Sequence, residues 1–468
     1  MSDWLPTSEE RLELLTACVE KLNRHWEMLP SLPIGPVLSL QQVRNWLEAF
    51  DFVTAIPIAR LVDEVTEAFA KGIVHTAHPR YFGLFNPTPA FPGVLGELIT
   101  ASFNAQLAAA SHAPVAVALE QHTVHSLAVR LGLDASAVVG HFTTGGAEAN
   151  ATGALLALTH ALPGFSERGV AAAAGPPVLY TSKESHTAWF KIAHQSGLGR
   201  SAVRLVATDG KGRMDVDALV DAVREDRAAG RVPFLVVGTA GTTNAGMIDP
   251  LLALADVATR EALWFHVDAA WGGGLALTSR AGTALAGMER ADSVTFDAHK
   301  WLSAPMGAGM LFTRHRGVLA ETFRVAASYM PSAHELPDPY VTSMQWSRRC
   351  IGLKVFMGLA ATGWAGVRAE LEHQLDMASL LHRALEDIRW RVVNASPVGV
   401  VVTLPEEAGI DVADVVVRVQ AEQQAWVSLA QFEGQSVLRA CLTSFRTQPE
   451  DITALVAAVA RAAVPRRG

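Results

Sequence analysis

From about residue 138 onward the chain repeats one pattern: a short apolar run, then a segment whose apolar residues fall at helical spacing. "VVGHFTTGG" precedes "EANATGALLALTHAL", "PVLYTS" precedes "HTAWFKIAHQ", "AVRLVAT" precedes "DVDALVDAVREDRAAG", and "FLVVGTAG" precedes "LLALADVATREA". Three more strand-like runs follow, "LWFHVDAA", "SVTFDAH" and "AGMLFTR". Strands joined by helices make right-handed crossovers, which place the strands parallel and cover both faces of their sheet. The expected fold class is therefore α/β, with a mostly parallel sheet of about seven strands.

The flanks differ from this core. "SEERLELLTACVEKLNRHWEML" has helical spacing, with Ser8, Glu9 and Glu10 as an acidic, capped start; "LSLQQVRNWLEAFDF" reads as a second amphipathic helix after Pro30, Pro33 and Pro36. With no strand of its own, this part is expected to pack on the main body or on a second subunit. After residue 315 a Pro-rich loop, "YMPSAHELPDPYVTS", leads to the long helical "LKVFMGLAATGWAGVRAELEHQLDMASLLHRALEDI". Strand-like "VGVVVTL" and "SVLRACLTS" and a last helix, "PEDITALVAAVARAAV", complete the chain before a solvated "PRRG" tail. The expected units are an N-terminal helical segment (1–85), a large α/β domain (86–345) and a small C-terminal α+β domain (346–468). A length of 468 residues suits such a division.

Half of the residues are hydrophobic and the net charge is −8, so a sizeable core is expected and no basic face for nucleic acid. Cys18, Cys350 and Cys441 are far apart and in no CxxC pair, which argues against a disulfide framework or a thiolate zinc site. The early acids and the lack of a long apolar run argue against a leader or a membrane helix. A cytoplasmic protein is expected.

In open parallel sheets, ligands bind at the carboxyl ends of the strands. Four such ends carry suggestive residues: the Gly145-Gly146 turn of "FTTGGAEAN", His186 of "TSKESH", Asp268 of "WFHVDAAW" and Lys300 of "TFDAHK". Singly, each has an ordinary reading: a turn, a packed or solvated histidine, a cap, a surface lysine. Jointly they supply an anion cradle, a flat ring partner, a carboxylate and an amine. Those are the requirements of pyridoxal phosphate. Gly146 and Ala147 suit its phosphate, Lys300 its aldehyde, Asp268 its pyridine nitrogen and His186 its ring.

At these positions "HPRYFGLFNPTPAFPG", "TTGGAEAN", "HVDAAWGGGLALTSR" and "MERADSVTFDAHKWL" resemble the group II pyridoxal-phosphate-dependent amino acid decarboxylases. That family includes glutamate, cysteine sulfinate, histidine and aromatic amino acid decarboxylases, and the resemblance runs from about residue 75 to the C-terminus. It implies fold type I and a homodimer with a shared active site. It also implies that Lys300 forms the Schiff base, Asp268 pairs with the pyridinium, Ala270 and His186 lie on opposite ring faces, and Thr243 and His299 lie near the cofactor. Arg439 matches an arginine that can meet a substrate carboxylate; an ordinary salt-bridged arginine is the other reading.

Two departures bear on the substrate and the proton donor. Where glutamate decarboxylases carry a glutamine that binds the side-chain carboxylate, this chain has Leu84, followed by Phe85, which counts against glutamate. The family's proton-donating tyrosine has its nearest counterpart in Tyr340, a residue or more out of register. His75 with His78 and His122 with His125 have metal-like spacing but no evident third ligand, so no metal is expected. The expected activity is decarboxylation of an L-amino acid to its amine. The rivals are another reaction of the same cofactor (aminotransfer, carbon–carbon lysis, oxidative aldehyde formation) and a non-catalytic member, although the latter would be expected to lack the lysine or aspartate.

Overall fold

The structure, a computed structural model, describes residues 5–325 and 336–464. Residues 326–335 of the Pro-rich loop and the "PRRG" tail lie outside the described residues. Three helices open the chain, α1 (Ser8–Met28), α2 (Leu40–Leu47) and α3 (Ile58–Gly72), followed by α4 (Phe91–Phe103) and α5 (Pro114–Arg130). The alternating region then runs β1 (Val139–Thr143), α6 (Gly146–Ala161), α7 (Phe165–Arg168), β2 (Pro177–Ser182), α8 (Ala188–Gln195), β3 (Val203–Val206), α9 (Val216–Ala228) and β4 (Val232–Thr239). It continues with α10 (Leu251–Arg260), β5 (Trp264–Asp268), β6 (Ser293–Asp297), β7 (Gly309–Thr313) and α11 (Arg316–Phe323).

Each of the seven apolar runs forms a strand of one sheet, ordered β1-β7-β6-β5-β4-β2-β3. The pairs β2–β3, β2–β4, β4–β5 and β5–β6 are parallel, and β7 is antiparallel to both neighbours. Every residue of β5, β6 and β7 is buried, as expected where helices cover both faces, and this is why these strands read as nearly continuous apolar runs. The parallel strands bring the ends of β2, β4, β5 and β6 to one edge. That edge carries the site.

The long helix α12 (Gly352–Asp387) bends at Gly363, whose φ of 65° and ψ of 164° are open to glycine. It leads to β8 (Trp390–Val392), β9 (Val400–Pro405), α13 (Val412–Ala421), β10 (Ser428–Phe432), β11 (Gln435–Cys441) and α14 (Pro449–Ala463). The four strands form an antiparallel sheet, β10-β11-β9-β8. Two were foreseen; β8 is only three residues long and β10 contains polar "SLAQF", so neither stands out as an apolar run. The β10–β11 turn places Glu433 and Gly434 at positive φ, the backbone of a tight hairpin.

At the N-terminus the cap of α1 is Thr7 rather than Ser8: Thr7 Oγ1 accepts from the Glu10 N–H, and the Glu10 carboxylate accepts from the Thr7 N–H at 2.7 Å. No residue of α1, α2 or α3 is buried. Their apolar stripes face outward in the single chain.

Candidate cofactor cleft

Helix α6 begins directly after β1, at Gly146. A Cβ there would lie 2.8 Å from Asp297 Oδ2 and 3.2 Å from the Ala270 methyl, so only glycine lets this helix start so close to the strand ends. Gly145 supplies no side-chain cap. The first N–H groups of the helix are thus left for an anion, with the helix dipole adding positive potential.

A cavity of about 100 Å³ opens beside that helix start, and Gly146, Ala147, His186, Thr243, Asp268, Ala270, Lys300 and Phe85 all line it. Residues drawn from well-separated parts of the sequence therefore meet in one place. Lys300 Nζ lies 3.1 Å from Asp297 Oδ2. Asp268, at the end of β5 and only 6% exposed, accepts from Asn150 Nδ2 at 2.8 Å and from the Ala270 N–H at 3.2 Å. His186 is exposed, and its Nδ1 accepts from the Ala188 N–H at 3.0 Å, which orients the ring at the cavity rim.

Four other residues singled out in the sequence lie outside the cavity surface. His299 is buried beneath it, with Nδ1 accepting from the Ala308 N–H at 3.2 Å, and burial pushes its pKa below the ordinary histidine value. Arg439 donates to the backbone carbonyls of Thr243 (2.7 Å) and Gly83 (3.0 Å), with its guanidinium 5.9 Å from the centre of the Phe85 ring. Leu84 is 51% exposed and is not among the residues lining the cavity, while Phe85 is. Tyr340 packs on Trp346 at 5.1 Å, and its N–H donates to Ala108.

Asn150 and Asp297 join the cavity without having been foreseen. For Asp297 the signal was present, three residues before the lysine in "DAHK"; for Asn150 there was only an asparagine early in a helix. A larger hollow of about 580 Å³ between α5, β1 and α11 contains none of the proposed cofactor residues and is lined by the buried Glu120–Arg348 pair. Among the described residues no three His, Cys, Asp or Glu side chains converge as a metal site.

The residues present fit pyridoxal phosphate. An uncapped helix start, a buried carboxylate and a lysine amine share one cavity, and Asp297 Oδ1 is buried there without a partner, as a polar atom beside a ligand site can be. Residues 53–403 match the family described as the pyridoxal-dependent decarboxylase conserved domain. The chain belongs to this family. It is a pyridoxal-phosphate-dependent amino acid carboxy-lyase. The decarboxylase is 27% identical to the aromatic-L-amino-acid decarboxylase of Bacillus atrophaeus over 95% of this chain and 94% of that one. It is 37% identical to the cysteine sulfinic acid decarboxylase of Mus musculus over 68% of this chain and 64% of that one. Among solved structures, mouse CSAD in apo form superposes with a TM-score of 0.91 at 26% identity, covering 98% of this chain and 99% of that one. Oryza sativa TDC with PLP and tryptamine shares the fold at a TM-score of 0.93, with 24% identity and 99% of each chain covered. No helix among the described residues is long and apolar enough to cross a membrane.

Proposed function

We propose that this decarboxylase acts on an L-amino acid with an apolar or aromatic side chain, as a cytoplasmic homodimer whose cofactor is held by Lys300. The aromatic wall carries the reading of the substrate. Phe85 and Trp271 both line the cavity with their ring centres 4.4 Å apart, and the buried Trp301 stacks on Trp271 at 4.6 Å from behind, so one part of the wall is aromatic. Such a surface gains by covering apolar area and offers no hydrogen bond to a side-chain carboxylate. The likeness to an aromatic-L-amino-acid decarboxylase over nearly the whole chain supports the same class.

When bound, pyridoxal phosphate supplies an electron sink for the pair released as the carboxylate leaves. The chain's own groups have separate tasks. The α6 start holds the phosphate, Ala270 and His186 confine the ring, and Thr243 borders it. Asp268 holds a proton on the pyridine nitrogen, and His299 steadies the loop that carries Lys300. Asp297 orients the Lys300 amine. Arg439 gives one N–H of each terminal nitrogen to a backbone carbonyl, and the second N–H of each, with the unpartnered Nε, are the donors left for a substrate carboxylate. Tyr340 delivers the proton to the α-carbon. Since Tyr340 lies outside its own chain's cavity, the homodimer would bring it to the neighbouring cleft. Phe103 (82% exposed) and Val115 (78%) flank the 104–113 segment on which the Tyr340 backbone rests, and apolar surface of this kind calls for a second copy.

The test is a screen of protein and non-protein amino acids, following CO₂, amine, aldehyde and peroxide. Aromatic or apolar substrates should give the highest kcat/KM, with amine as product. A preference for cysteine sulfinate or glutamate would overturn the substrate class, and aldehyde with peroxide would point to the oxidative reaction.

A further inference from the structure

Behind Asp268 a line of buried side chains runs into the large sheet. Asn150 Nδ2 donates to Asp268 Oδ2 at 2.8 Å, and Asn150 Oδ1 lies 3.0 Å from His266 Nε2. His266 Nδ1 lies 2.7 Å from Ser293 Oγ, which accepts from Trp264 Nε1 at 2.8 Å. All five residues are buried, and His266 is 0% exposed.

The two ends decide where the protons are. An ionised carboxylate only accepts, so Asn150 must turn its NH₂ to Asp268 and its carbonyl to His266. His266 must then donate through Nε2. Burial lowers its pKa to about 4, so near neutral pH the ring carries a single proton, and that proton is on Nε2. At the far end an indole N–H only donates, so the Ser293 hydroxyl accepts from Trp264 and gives its own hydrogen to the bare Nδ1. Every donor in the line therefore points towards Asp268.

Resting on the pairing of Asp268 with the pyridine nitrogen proposed above, we infer that His266 and Asn150 are positioning residues: this one-way line holds the Asp268 carboxylate aimed at the cofactor. Aligned hydrogen bonds polarise one another, and the donor on Oδ2 fixes the direction in which the carboxylate faces. The opposite tautomer of His266 would rotate Asn150 and set its carbonyl against the carboxylate, a repulsive contact. The surrounding packing enforces the arrangement. A Cβ on Gly153 of α6 would come within 2.6 Å of His266 Nδ1, so the glycine admits the ring, and Trp189 meets it edge-on at 5.5 Å.

The test compares full-length His266→Phe, His266→Gln, Asn150→Leu and Asp268→Asn. Three quantities are read: cofactor dissociation constant by tryptophan fluorescence, the visible band of the lysine-bound cofactor with its pH titration, and kcat and KM separately. His266→Phe and Asn150→Leu should shift the band and its titration and weaken cofactor binding on the order of tenfold, as when the outer partner of a ligating group is removed, lowering kcat more than they raise KM. His266→Gln keeps a donor for Asn150 and should recover most of each readout. Unchanged band, titration and affinity in His266→Phe would overturn the inference, whatever happens to its melting temperature, because a merely structural histidine moves only the last. If His266→Phe does not fold, Ser293→Ala, which removes only the hydroxyl, should shift the band and titration in the same direction; no shift would overturn the inference. If Asp268→Asn also leaves all three readouts unchanged, the proposed pairing of Asp268 fails along with the line behind it, whereas a defect confined to Asp268→Asn overturns the line alone.

Discussion

Asp268, Asn150 and His266 are buried where α6 meets the large sheet and are paired within one chain, whereas α1, α2 and α3 bury no residue. Both regions are locally regular. Helix α1 has a complete capping box, and Leu12, Leu15, Val19 and Leu22 form a stripe along it. In proteins most helical stability comes from packing an apolar face rather than from intrinsic propensity. The cleft thus draws its order from the chain itself, and the arm leaves its apolar stripes uncovered in the single chain. Comparing them separates the chemistry that one chain contains from the architecture that two chains would complete.

The comparison breaks at once if the cleft does not hold the cofactor. Lys300→Ala should lose the visible band fixed by borohydride and nearly all turnover while remaining folded by circular dichroism; a persisting band would remove the centre of the site. The next largest effect is expected at Asp268. Asp268→Asn should keep its fold and lose roughly a thousandfold in kcat, about 4 kcal/mol of transition-state stabilisation at about 1.4 kcal/mol per tenfold. A near-normal kcat would make Asp268 a strand-end cap.

Tyr340 lies between the two regions, in one chain's surface but proposed for another chain's chemistry. Tyr340→Phe should keep cofactor affinity and slow amine release on the order of a hundredfold, within the range of general acid catalysis, with some product diverted to aldehyde. Mixing it with Lys300→Ala sharpens the comparison: hybrid dimers regain one intact cleft if Tyr340 serves its neighbour, and none if it serves its own. The smallest effect is expected in the arm. Leu12→Ser with Leu15→Ser should weaken dimerisation, seen as a lower sedimentation coefficient on dilution, with cofactor binding at high protein concentration unchanged. An unaltered dimer would show that this stripe is not covered by the second subunit.

The strand runs and the residues that follow them were legible because their signals are local. A buried strand shows as a continuous apolar run, a helix start as a Gly-Gly turn, and Lys300 and Asp268 stand just where such runs end. Small errors came from local signals that compete or are faint. Ser8 stands beside Thr7, and either can cap α1; β8 and β10 are too short or too polar to show.

By itself, then, the sequence determined the α/β class, the order of the seven strands along the chain and the polar residues that stand at their ends. Periodicity and turn chemistry are properties of neighbouring residues. Only the tertiary structure decided which polar atoms meet. Asn150 reaches Asp268 and His266 because α6 packs over β5, and His266 reaches Ser293 because β5 and β6 pair in register. Arg439 is committed to Gly83 and Thr243 because the small sheet closes against the large one. A hydrogen bond needs two atoms about 3 Å apart and correctly aimed, and for groups a hundred or more residues apart that distance is set by strand order and helix packing rather than by the letters beside either residue.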